Sequence, residues 1–119
     1  MFETIWWRCH VRATDRRGAE RVARRLGTQL DGAVQIESYE RYWKFPGLAE
    51  MRLVSPLRCS TPETALLTTL QYAWRTATPW SLGTPGPGNE FEGVAASNAG
   101  SRFAVPGVEW MEFHVTERA

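Results

Sequence analysis

The residues this sequence has little of narrow its possibilities first. Cysteine occurs only at Cys9 and Cys59, too few for a disulfide framework or a four-cysteine zinc site, so free thiols in a reducing cytoplasm are expected. Lysine occurs once, at Lys44; the arginine bias that results can follow from GC-rich coding and is not read as function. No apolar run approaches the roughly 18 residues a membrane span needs. The start, MFETIWWRCH, lacks the basic end and unbroken apolar stretch of a secretory leader. A cytoplasmic protein with no membrane partner is therefore expected. Gly-x-Ser-x-Gly, His-Glu-x-x-His and paired Cys-x-x-Cys patterns are all missing. A net charge of +1 argues against a dedicated nucleic-acid binder.

What is present is a chain of 119 residues, long enough to bury one core, so residues 1–119 are read as a single domain. Ile5, Trp7, Cys9 and Val11 alternate with Trp6, Arg8, His10 and Arg12, the period of a strand with one apolar and one mixed face. Thr14 or Asp15 offers an N-cap, and Ala19, Val22, Ala23, Leu26 and Leu30 then follow helical spacing. Arg16, Arg17, Arg21, Arg24 and Arg25 fall on the other side of that helix, a face read as solvated or, alternatively, as meeting an acidic partner. Residues 33–42 and 49–57 read as two strands around the turn signal Pro46-Gly47. A second helix opens with Thr61 as cap, Pro62 at its first position and Glu63 at the positive end of its dipole. Its expected buried stripe is Leu66, Leu70, Ala73, Trp74 and Ala77.

Residues 78–107 form a Gly/Pro-rich insertion in which FEGVAA and SRFAV are expected to pair as a hairpin around SNAG, leaving GTPGPGN as a loop. The closing VEWMEFHV alternates again, with Trp110, Glu112 and His114 opposite Met111, Phe113 and Val115. The element order predicts a ferredoxin-like βαββαβ α+β sandwich: a four-stranded antiparallel sheet, two helices on one face, and a β-hairpin insertion before the last strand.

On that sheet the helix-free face collects Trp6, Arg8, His10, Arg12, Glu37, Tyr39, Arg41, Glu50, Arg52, Trp110, Glu112 and His114. Tryptophan, tyrosine, arginine and carboxylate together have the composition of interface hot spots. Private burial under the insertion is the competing expectation. His10 with Glu112 is the one acid–base pair that suggests itself, and it carries no catalytic assignment. His10 and His114 lack a third zinc ligand, because Cys9 points the other way by parity. No metal or cofactor is implied. GTPGPG lacks the Lys-Ser/Thr of a phosphate loop, and Pro85 and Pro87 remove donors a phosphate cradle needs.

The aromatic, basic sheet resembles in outline that of RNA-recognition domains, yet AEMRLVSPL carries no aromatic residue and three carboxylates share the face. The leading expectation is a non-enzymatic protein-binding domain. Its layout and size are similar to those of several bacterial immunity proteins, small cytoplasmic antidotes that plug a toxin's active site. The rival is a dimeric α+β barrel, a homodimer through the sheet face enclosing a small-molecule pocket. Nucleic-acid binding is a distant third.

Overall fold

Alternation and capping place the elements. A computed structural model describes residues 1–32, 34–83 and 89–117. Strand β1 (Phe2–Arg12) leads to helix α1 (Arg16–Gln29), strands β2 (Gln35–Arg41) and β3 (Leu48–Cys59), and helix α2 (Pro62–Thr76). Short strands β4 (Ala77–Thr78) and β5 (Ser81–Gly83) follow, then β6 (Glu90–Ala96), β7 (Arg102–Phe103) and β8 (Val108–Thr116). Asp15 caps α1 by accepting from the Gly18 amide at 2.8 Å, and Thr61 caps α2 by accepting from the Thr64 amide. Each cap satisfies one of the amides a helix start leaves without a partner.

The expected four-stranded ferredoxin-like sheet does not form. The chain is α+β with six strands in the main sheet, in the order β2-β3-β1-β8-β6-β5, and a separate two-stranded sheet of β4 and β7. The difference lies in residues 78–107. FEGVAA does not pair with SRFAV; it joins the main sheet as β6, antiparallel to β8, with Phe91 opposite Val115 and Ala95 opposite Met111. Arg102 and Phe103 pair with Ala77 and Thr78 at the end of α2. The segment has its own period-2 face, because Phe91, Gly93 and Ala95 are buried between the outward Glu92 and Val94. Pairing beside β8 buries that face on the common core, which an isolated hairpin cannot do. Gly93 is required there, since a Cβ would stand 2.4 Å from the Phe113 ring. Of GTPGPG, residues 84–88 lie outside the described residues.

The core fills the space between this sheet and the two helices. Ile5, Trp7, Cys9 and Val11 of β1 meet Leu26 of α1, Met51 and Leu53 of β3, and Met111 and Phe113 of β8. Trp7 is edge-on to both Phe113 and Trp80, and its indole N–H donates to Ser55 Oγ at 2.9 Å. A tryptophan buried this way removes about 150–250 Å² from water, a gross gain of roughly 4–6 kcal/mol. Helix α2 is rotated from its expected phase. It buries Ala65, Thr69, Ala73 and Thr76, while Leu66 and Leu70 are half-buried and Trp74 is 65% exposed. Small residues facing inward let the helix sit close on the sheet, and that packing leaves the large indole outside. Among the described residues no helix is long and apolar enough to cross a membrane.

Candidate functional site

Side chains on the other face of β1 point away from the helices, and the register fixes their neighbours. Trp6 lies between Val54 of β3 and His114 of β8, Arg8 between Arg52 and Glu112, and His10 between Glu50 and Trp110. The added strands extend this face sideways with Glu92 beside His114 and Val94 beside Glu112. They lengthen the sheet in its own plane and do not fold back over its middle.

Two expected members are absent from the face. A bulge between Ile36 and Ser38 shifts the parity of β2, so Tyr39 pairs with Met51 and Arg41 with Ala49, both core-side positions. Tyr39 packs on the core beneath the Arg16 guanidinium, 5.9 Å from its ring centroid. Arg41 donates to the carbonyls of Pro46 and Thr14 at 2.7 and 2.6 Å. A one-residue slip exchanges the faces of every residue beyond it.

In their place stands a group from the turn after β2. Tyr42 stacks on the His10 ring at 4.1 Å, and Trp110 stacks on its other side at 4.6 Å. The Arg8 guanidinium lies over Trp110 at 5.0 Å and pairs with Glu112 at 3.3 Å. The result is a continuous stack of Arg8, Trp110, His10 and Tyr42 across the face. Beyond Tyr42 the ring of Phe45 is tilted at 5.9 Å and that of Trp43 at 6.1 Å. Phe45 is 55% exposed and Trp43 is 84% exposed. Each aromatic contact of this kind adds roughly 0.5–1.5 kcal/mol beyond its area.

The polar groups of the face are tied to one another. His10 Nε2 lies 2.9 Å from a Glu50 carboxylate oxygen, so the histidine's partner is Glu50 and not the expected Glu112. Only 13% of the His10 side chain is exposed, and both faces of its ring are covered, which leaves no open approach for a substrate proton. Arg12 and the Ser97 hydroxyl both donate to Glu109. The Arg12 hydrogen bond first, and then the Ser97 one, hold the Glu109 carboxyl below its ordinary value. On the core side, burial above all, with Glu50 adding to it, pushes the Cys9 thiol up to about 12 and so keeps it protonated and inert. His114 sits beside Trp6, at 6.3 Å between ring centroids, and two strand repeats of roughly 13 Å separate it from His10. A zinc ion shared by the two histidines is thus out of reach, and no group of three or more possible metal ligands occurs among the described residues.

The 42–45 turn and the Ser97–Asn98 turn stand at either side of a cleft of about 1040 Å³ whose floor holds His10 and Trp110. A smaller hollow of about 560 Å³ lies farther along the same face, between Trp6, Arg52 and Glu92. Alternation in the sequence finds the floor but misses Tyr42, Trp43 and Phe45, because periodicity does not orient turn residues. The available signal was three aromatics in four positions immediately before Pro46-Gly47. No family model, curated protein or solved structure matches the chain.

Proposed function

We propose that this chain is a non-enzymatic protein-binding domain, and that it presents the helix-free sheet face and the 42–45 turn to another protein. The observation that carries this reading is the pair of outward aromatic side chains, Trp43 and Phe45, at the rim of a cleft floored by stacked rings. A folded chain gains nothing by leaving an indole 84% exposed, whereas tryptophan in contact with a partner is the commonest interface anchor. The internal pairing of Arg8, His10, Arg12 and their glutamates supports binding over catalysis. These groups are pre-organised, so little side-chain entropy is lost on association, but none is left open to act as a general base. The immunity-type reading rested on a layout that the two added strands change, so the partner is proposed here only as a protein surface.

The experiment compares the wild type with a Trp43→Ala, Phe45→Ala double variant of unchanged thermal stability as baits for binding proteins. A partner held by the wild type and released by the variant supports the reading. A partner held equally by both removes the face from the interface. The second reading, a homodimer closed through this face, is supported by the lack of any covering element over Trp6 and Arg8, and sedimentation showing a dimer that the same variant leaves intact would favour it.

A further inference from the structure

Strand β2 is one edge of the main sheet, and its outer side has no neighbouring strand. Its seven residues span about 23 Å, close to the roughly 21 Å of the fourteen-residue α1. The two elements run alongside each other in opposite directions. Arg16, at the start of α1, lies over Tyr39, whereas Gly27, near its end, approaches Val34. Between them is a groove of about 470 Å³ with Ala23 and Gly27 on the helix side and Val34 and Ile36 on the strand side.

The helix flank of this groove is lined with cations that the fold does not need. Arg17, Arg21 and Arg24 recur at i, i+4 and i+7 on one exposed row. Glu20 is the one acid within α1 and is already paired with Arg16 at 3.0 Å. Among the described residues no carboxylate is paired with Arg17, Arg21 or Arg24. Like charges four apart destabilise a helix by some tenths of a kcal/mol, and Arg16 and Arg17 in the first turn oppose the macrodipole. A local rule broken without structural gain marks a surface with another use.

We infer that the β2 edge and the arginine flank of α1 form a second binding groove, which takes an extended acidic segment of a protein chain as an added strand. Backbone amides and carbonyls of β2 would pair with the segment, and alternate side chains would point to opposite sides of the sheet. Those on the helix side meet Arg17, Arg21 and Arg24, whose planar guanidinium groups suit carboxylates. Those on the other side meet Glu37 and Glu40, which line the two hollows of the open face, and so cannot be acidic. The segment therefore alternates acidic with neutral or basic residues. A second copy of this chain, paired edge to edge, would bring two arginine rows together, and a nucleic acid has no amides to offer the strand edge. The groove is on the opposite side of the molecule from Trp43 and does not depend on the function proposed above.

The probe is a labelled peptide of about ten residues in which Glu alternates with Thr, compared with a same-composition peptide whose glutamates are contiguous and with a duplex DNA of similar charge. The alternating peptide is expected to bind in a salt-sensitive way and to slow amide exchange across residues 34–41. An Arg21→Glu, Arg24→Glu double reversal is expected to weaken binding at least about tenfold. Equal binding of the contiguous peptide or the DNA without slowed exchange in β2 would reduce the flank to a general polyanion patch and overturn the inference. Dimerisation through β2 would overturn it as well. Should the double reversal fail to fold, the exchange measurement on the wild type decides alone.

Discussion

Strand β1 carries two adjacent tryptophans that point in opposite directions, and the two sides of the sheet they mark are held together by different physics. On the Trp7 side the contacts are apolar, fully buried and shared among several elements. On the Trp6 side they are stacked rings and matched charges: Arg8 with Glu112, His10 with Glu50, Arg12 with Glu109. Removing area from water is non-directional and sets most of the stability. The open side contributes less, because exposed ion pairs are worth little, yet it fixes where each side chain stands. One side makes the domain fold and the other makes it present a defined surface.

Trp7→Ala tests the first half of this contrast and should have the largest effect. It leaves a cavity beside Phe113 and Trp80 and strips Ser55 of its indole donor, so a loss of about 3–5 kcal/mol in denaturant unfolding is expected. Gly93→Ala comes next. The new methyl would collide with the Phe113 ring, an aromatic that core packing holds in place, and overpacking of this kind costs about 1–3 kcal/mol. If Gly93→Ala is neutral in the same assay, β6 is not seated on β8 as described, and the extended sheet is wrong.

That second variant probes the part of the fold least legible in the sequence. The alternation of β1 and β8 and the caps Asp15, Thr61 and Pro62 can be read directly, because each rests on chemistry within a few residues. Membership of β6 in the main sheet depends on Gly93 and Ala95, whose small side chains give almost no hydrophobic signal. The bulge at Ile36–Ser38 is a single inserted residue, which no period-2 pattern announces, and it alone moves Tyr39 and Arg41 off the open face. For α2, the sequence offers two competing i, i+4 stripes. The larger one, Leu66-Leu70-Trp74, loses to Ala65-Thr69-Ala73 because close packing on the sheet selects small volume over large. Of the site, Trp6, Arg8, His10, Arg12, Trp110 and Glu112 follow from strand parity; Glu50 is legible as a face residue, but not as the partner of His10.

Trp43→Ala turns the comparison around. Its ring contributes almost nothing to the core, so unfolding free energy should change by no more than about 0.5 kcal/mol. Affinity for a protein partner should fall by at least about 2 kcal/mol, roughly thirtyfold, if this indole anchors the interface. Measured together by denaturant titration and by calorimetric binding, the two numbers separate surface from core more sharply than either does alone. A variant that loses stability and keeps affinity would assign Trp43 to the fold and leave the open face without its anchor.

The smallest effect is expected from Glu109→Gln, read as a pH dependence. Arg12 and Ser97 lower the Glu109 carboxyl in the folded chain below its ordinary value of 4.5. A depressed carboxyl stabilises the fold fully above its unfolded value, and this contribution fades as pH falls through the lowered folded value. Wild type should therefore exceed Glu109→Gln in stability near neutral pH, and the two unfolding curves should converge as the solution is taken well below pH 4.5. The gap at neutral pH should also shrink with added salt, because the Arg12 side chain is largely exposed and its charge is screened. A gap that instead persists at low pH would mean that Glu109 acts through packing against the Ser97 turn. The wall of the cleft would then belong with the core side of the comparison and not with the charge-matched face.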